Sequence, residues 1–256
     1  MMSLWGGRFS QSPAESVFAL SRSVHFDWRL APYDIVASMA HVRALSRGAI
    51  IDSTTADSLL SALKELASEI SSEKFGPIAS DEDVHSALER GLVAKLGEMG
   101  GAIRAGRSRN DQVVTAFKLY LIDAMSQIAE GLQALCIAFL DQAEKNLSTI
   151  SPGMTHLQHA QPVSFGHELA KHAVSLERDL DRIADWLDRS KTSPLGSGAL
   201  SGSSLPLTPE KSAAELGFTS VVRNSIDAVS DRDFVAEALF IVAMIGVHIS
   251  RIGEEW

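Results

Sequence analysis

At 256 residues the chain is long enough for one or two domains and for a core that buries roughly 70–75% of the unfolded surface. Hydrophobic residues make up 45%, charged residues 21% and aromatic residues only 6%, a soluble, globular balance in which abundant Ala, Leu, Ser and Glu favour helix over sheet. The net charge of −9 argues against non-specific nucleic-acid binding, and the single cysteine, Cys136, excludes an internal disulfide and fits a reducing, cytoplasmic setting.

Residues 1–27 read as an irregular arm with Gly6, Gly7 and Pro13, and hold no apolar run of signal-peptide length. Pro32 suits the first turn of a helix that continues over 33–47 and stops at Gly48. Thr54-x-x-Asp57 resembles a capping box ahead of Leu59, Leu63, Leu66 and Ile70; Ser80-x-x-Asp83 repeats the pattern ahead of Val84, Leu88, Leu92 and Leu96. Gly97, Gly100, Gly101 and Gly106 then break any regular element. A compact helical domain over 1–106 is expected, followed by a second domain over 107–256.

The second domain opens with a helix expected over 107–147. Val113, Val114, Phe117, Leu121, Met125, Ile128, Leu132, Leu135, Phe139 and Leu140 fall on one face. Leu119, Tyr120, Ile122, Ala134 and Ile137 fill the others, so this helix must be enclosed. A loop around Ser151-Pro152-Gly153 precedes a helix over 165–191. Residues 193–204 are too rich in Gly and Ser for regular structure and read as a mobile loop. Thr208-Pro209 starts a short helix closed at Gly217, and Ser230-x-x-Asp233 caps a last helix over 234–256. Residues 234–252 form the most apolar window, but Glu237 and His248 interrupt it, which favours a core helix over a membrane span. With no alternating strand pattern, the fold class is all-α: a small helical domain plus part of a long-helix bundle. Two long helices and part of a third cannot cover the apolar faces, so the missing partners come from other subunits, from sequence beyond Trp256, or both.

Gly106-Arg107-Ser108-Arg109-Asn110-Asp111-Gln112 stands at the mouth of the long helix. Arg109 suits bidentate carboxylate binding, Ser108 and Asn110 add neutral donors, and a helix N-terminus favours negative charge; an ordinary cap with an internal Arg–Asp pair through Asp111 is the alternative. Residues 153–162 gather Thr155, His156, Gln158, His159 and Gln161 between two helices, and His156 is able to exchange protons near neutrality. Metal is rejected at two places. Glu82-x-x-His85 occurs once rather than twice, and His167 and His172, five residues apart, point about 140° from one another on a helix. The Gly196 stretch has Ser201 where a dinucleotide turn needs glycine. Ser23 and Asp27 read from the residues alone as ordinary capping groups.

Leu4-Trp5-Gly6-Gly7-Arg8-Phe9, Asp83-Val84-His85, the 106–112 run, Thr155-His156-Leu157-Gln158-His159-Ala160-Gln161-Pro162 and Pro194-Leu195-Gly196-Ser197-Gly198-Ala199-Leu200 together resemble the argininosuccinate lyases of the fumarase/aspartase superfamily, relatives of the δ-crystallins. The resemblance implies a cofactor-free homotetramer that pools its long helices and builds each site from three subunits. It implies reversible cleavage of argininosuccinate to arginine and fumarate, the last step of arginine biosynthesis. Carried over by position, Ser108, Asn110 and Thr155 would hold the succinyl end, Ser23, Asp27 and Arg109 the arginine end, His85 would line the pocket and His156 would be the catalytic histidine. No nucleic-acid or membrane partner is implied. The family's Gly-Ser-Ser-x-Met-Pro-x-Lys-x-Asn-Pro loop with its serine base has no counterpart; it would follow Trp256, so the resemblance is to the N-terminal part of the enzyme. A sister lyase releasing fumarate and a crystallin-like protein without turnover are the rival readings.

Overall fold

The computed structural model describes residues 14–255; the Leu4–Phe9 motif and the start of the expected arm lie outside the described residues. Contacts group the chain into two compact units, Met1–Phe117 with Ser193–Val229, and Lys118–Thr192 with Ser230–Trp256.

In the first unit, α1 (Glu15–Ser21), α2 (Val24–Asp27) and a 3₁₀ turn (Trp28–Leu30) occupy a stretch expected to be irregular. Ser23 N donates to Glu82 O at 2.8 Å, so pairing with a distant segment supplies order that the local sequence does not announce. α3 (Ala31–Arg47) carries Pro32 in its first turn and stops at Gly48, as its sequence predicts. α4 (Ser53–Ser71) and α5 (Val84–Leu96) match their apolar periodicity, but their caps differ from expectation. Asp52, not Thr54, accepts the Thr55 N–H at 2.6 Å, and Asp83 forms the capping box with Ser86 rather than with Ser80. In each case the carboxylate immediately before the first helical residue has the shorter reach to the N3 amide. The glycine cluster does not abolish regular structure; Gly97–Arg104 winds as a 3₁₀ helix.

Leu45, Leu59, Leu63, Leu66 and Leu92 are fully enclosed between α3, α4 and α5. Each such side chain contributes about 1.5–3 kcal/mol. The segment after residue 193 belongs to the same unit. Its helices are α8 (Pro209–Glu215) and α9 (Ser225–Ser230), with a short ladder of β3 (Thr192–Ser193) and β4 (Ser220–Val221). Arg43 and Arg47 of α3 pair with Glu215 of α8 at 3.2 and 2.5 Å.

α6 (Arg109–Lys145) is one continuous helix of 37 residues, about 55 Å long at 1.5 Å per residue. Val114, Ala116 and Met125 are buried, whereas Ile137 and Leu140 near its far end are about half exposed. In the second unit, β1 (Ile150–Thr155) and β2 (Gln158–Ser164) form an antiparallel hairpin where a loop was expected. Its sequence lacks alternation because neither face is buried, and Pro152 and Gly153 sit beside the irregularity in its register between Pro152 and Met154. α7 (Phe165–Ser190) starts at the Ser164 cap and packs against α10 (Asp233–Glu255). Gly166 is required at the entry, because a Cβ there would lie 2.4 Å from the Ala143 carbonyl oxygen. Trp186 of α7 is fully buried and donates its indole N–H to Phe234 O at 2.8 Å. Deeper in, Asp179 of α7 meets His248 Nδ1 at 2.5 Å and Arg182 at 3.0 Å.

α10 is apolar enough, with a mean hydropathy of 1.8, to pass a length-and-composition test for a membrane span. It nevertheless turns Phe234, Ala238, Ile241, Ile245 and His248 inward and leaves Leu239, Phe240 and Val247 exposed in the single chain.

His41 of α3 is buried, with Nε2 2.9 Å from Ala105 O; burial and the nearby Arg107 push its pKa down to about 3. A histidine held neutral in the fold takes up its proton only on unfolding between its ordinary value and about 3. Stability therefore falls as pH drops through that window, by up to about 1.4 kcal/mol per pH unit from this group. Urea titrations between pH 6 and 4 on the wild type and on His41→Gln are expected to give a steeper acid loss for the wild type.

Candidate active site

The turn that opens α6 is organised by Asp111. One of its oxygens accepts the Ser108 N–H at 3.0 Å, the other the N–H groups of Gly196 and Gly198, both at 3.0 Å. Burial raises its pKa, against the opposing pull of these three amides and of Arg107. The Gly/Ser stretch expected to be a mobile loop is thus wound in turns around a buried carboxylate. Gly198, at φ +61, has its missing Cβ position 2.6 Å from Gly202 O, so only glycine fits. Asn110 extends the same junction through Nδ2, which donates to Ala199 O at 2.9 Å. Asp111 accepts from backbone amides and makes no hydrogen bond to an arginine among the described residues, unlike the internal Arg–Asp pair of the capping alternative.

On the other side of the turn, polar groups face a cavity of about 370 Å³ in the first unit. His85, Arg104, Arg107, Ser108, Arg109 and Gln112 line it, with Leu63, Leu88 and Ile103 as its apolar wall. Arg109 Nη1 donates to Gln112 Oε1 at 3.0 Å. Its Nε lies 3.1 Å from Asp83 Oδ2, but off line, so this buried N–H makes an ion-pair contact without a hydrogen bond. Gln112 Nε2 donates to both oxygens of Asp34 at 2.8 and 2.9 Å, and His85 Nδ1 stands 2.9 Å from Asp34 Oδ2. Arg107 Nη1 donates to Ser38 Oγ at 2.9 Å. Burial alone would raise the Asp34 pKa; His85, Arg107 and Gln112 outweigh it and hold the carboxyl well below the usual carboxylate range.

Ser23 and Asp27 sit on the first-unit segment that docks beside α5. Ser23 Oγ donates to Asp27 Oδ2 at 2.5 Å, and the Val84 N–H to Asp27 Oδ1 at 3.1 Å. Burial raises the Asp27 pKa, Asp83 adds to the rise, and Ser23, His85 and the Val84 amide oppose it. The start of α5 therefore links Asp27, through Val84, to His85, and links Arg109 through Asp83.

Thr155 and His156 belong to the second unit. They sit at the hairpin tip, where Thr155 pairs with Gln158 and leaves His156 and Leu157 as a two-residue turn. Both have positive φ, 51° and 60°, the pattern of a type I′ turn. That turn favours Asn-Gly, and a bulky L-residue in this region costs on the order of 1–2 kcal/mol. Both residues are exposed. The imidazole of His156 is thus held at a solvent-facing position by an unfavourable backbone conformation.

Reading the sequence left Asp34 and Gln112 without individual roles and gave Asp111 only a pairing with arginine. A signal for the first was present: Asp34, Ser38 and His41 occupy successive positions on the buried face of α3, where apolar residues belong. No local signal marked the long-range partners of Asp111, which lie 85 and 87 residues away.

The mainly helical first unit presents arginine, serine and histidine around one polar cavity, and the second carries an imidazole on a turn with positive φ. A family described as lyase matches residues 7–256, and the chain belongs to it. The chain is 56% identical over 254 residues to the argininosuccinate lyase of Frankia casuarinae, covering 99% of this chain and 55% of that relative. It is 56% identical over 252 residues to the enzyme of the same name from Acidothermus cellulolyticus, covering 98% and 52%. The chain thus spans about half the length of these curated relatives. Among solved structures, an EDDS lyase variant with bound fumarate superposes with a TM-score of 0.80 at 28% identity, over 96% of this chain and 49% of that one. A fumarate lyase:delta crystallin from Brucella melitensis shares the fold, with a TM-score of 0.78 at 19% identity over 97% and 57%.

Asp111→Ala would leave three amide donors without their carboxylate, at roughly 1–3 kcal/mol per unsatisfied group. A loss of at least about 2 kcal/mol of unfolding free energy in urea is expected, with Asp111→Asn intermediate.

Proposed function

We propose that this chain supplies the N-terminal, substrate-recognising part of an argininosuccinate lyase. Its 56% identity to enzymes of that name along 99% of its length is the observation that carries the reading. The exposed, strained His156 turn supports it from the structural side. In this reading Ser108, Asn110 and Thr155 hold the succinyl carboxylates. Arg109, Ser23 and Asp27 hold the arginine end, His85 lines the pocket, and His156 donates a proton or orients the donor. A base removes a proton from the carbon beside a succinyl carboxylate. The doubly negative aci-carboxylate is stabilised by positive and neutral donors, and the C–N bond then breaks to release fumarate and arginine.

The same reading makes 1–106 the N-terminal domain and 107–256 part of the long-helix domain, and makes the whole protein a cytoplasmic homotetramer. In this reading each site is completed by segments from different copies. The half-exposed apolar residues of α6 and α10, and a two-stranded hairpin with neither face buried, call for the same covering.

A second reading, another fumarate-releasing lyase, draws on the EDDS lyase likeness. Fusing this chain to the remaining C-terminal part of the Frankia enzyme and following fumarate by ultraviolet absorbance across a substrate panel separates the two. Argininosuccinate is expected as the preferred substrate. The 256-residue chain alone is expected to give negligible fumarate; turnover near that of the fusion would refute the assignment of the base to sequence outside this chain. A fusion that folds but turns over nothing would favour a crystallin-like role.

Asn tolerates positive φ, so His156→Asn keeps the turn and removes the imidazole. In the fusion it is expected to lower turnover more than ~100-fold; unchanged turnover would take His156 out of the mechanism.

A further inference from the structure

We infer that Asp34 is a positioning residue of the proposed site: its carboxylate holds a proton on His85 Nδ1 and thereby makes Nε2 the imidazole atom presented to a ligand in the cavity. The inference rests on the lyase reading for its catalytic consequence, though not for its geometry.

The pair is enclosed, with Asp34 1% and His85 3% exposed, so water does not compete for the 2.9 Å contact between Nδ1 and Oδ2. A carboxylate only accepts, which leaves Nδ1 to donate. The orientation of Asp34 is itself determined. Arg109 only donates, so Gln112 must turn Oε1 toward Arg109 and Nε2 toward Asp34. Gln112 then spans both carboxylate oxygens, and Ser38 Oγ approaches Oδ1 at 3.4 Å. The result is one directed chain, Arg109 to Gln112 to Asp34, with His85 donating into the same acceptor. His85 Nε2 makes no hydrogen bond to the described residues, while the ring lines the cavity. Charged groups facing this arrangement are Asp27 from α2, Glu89 from α5, Arg104 from the 3₁₀ helix, Arg107 from the turn before α6 and Arg109 at the start of α6. The partner of one ring nitrogen decides what the other offers, so Asp34 acts on a ligand only through His85.

Asp34→Asn discriminates. Asparagine has one acceptor oxygen and one donor NH₂, whereas both Gln112 Nε2 and His85 Nδ1 need an acceptor. His85 is expected to move its proton to Nε2 and accept from the new amide through Nδ1. Nitrogen-15 NMR of the 256-residue chain with labelled histidine reads this directly. The wild type is expected to show a protonated Nδ1 at His85, assigned by its loss in His85→Gln, and Asp34→Asn to show an unprotonated one. An unprotonated Nδ1 in the wild type overturns the inference even if Asp34→Asn fails to fold.

Kinetics of the Frankia fusion supply the second arm. A folded Asp34→Asn fusion is expected to lose ~10-fold or more in kcat/KM, chiefly as a raised KM, as for loss of a group that orients a binding histidine. A loss below threefold in an active fusion overturns the positioning role. A wild-type fusion without lyase activity overturns the function reading instead, and the tautomer measurement then still decides the geometry.

Discussion

The Asp111 carboxylate ties the opening of α6 to the segment that follows α7, through amides more than eighty residues away in sequence. Burying a charge in this way is tolerable only because three N–H groups surround it. The junction orders two stretches with little intrinsic structure. One is the Gly106–Gln112 turn. The other is the glycine- and serine-rich segment around Gly196, which becomes a set of turns with positive φ at Gly196, Gly198 and Gly202. Ser108 and Arg109 then occupy defined places on one side of the turn and Asn110 on the other.

A second enclosed carboxylate, Asp34, does comparable work on the cavity side. The two differ in their surroundings. Asp111 is satisfied by neutral amides, so burial dominates and its pKa rises, while Asp34 gathers His85, Gln112 and the field of Arg107 and remains strongly ionised. The two aspartates also differ in what they hold. One anchors backbone, and the other orients the side chains that face the cavity.

The single chain leaves unfinished business of a specific kind. Its hairpin presents an imidazole at the tip of a strained turn with no burial on either face, and α10 carries apolar side chains on both its inner and outer sides. The chain belongs to a lyase family and spans about half the length of the curated relatives it matches.

Helix existence was legible wherever apolar residues recur at three- and four-residue steps: α3, α4, α5, α6, α7 and α10 are all written in the sequence by itself. So were the Ser108–Arg109–Asn110 run and the Thr155–His156 pair, because dense clusters of polar side chains between apolar helices stand out. The hairpin at 150–164 was not legible, since period-two alternation arises only when one face is buried and here neither is. The caps at Asp52 and Asp83 are local, each reaching an amide three residues on, and were simply placed on the wrong residue, whereas the turns around Asp111 and the Asp34–His85–Gln112 network belonged to tertiary structure alone. Which buried polar group finds which partner depends on segments tens of residues apart, and local pattern carries no information about that distance.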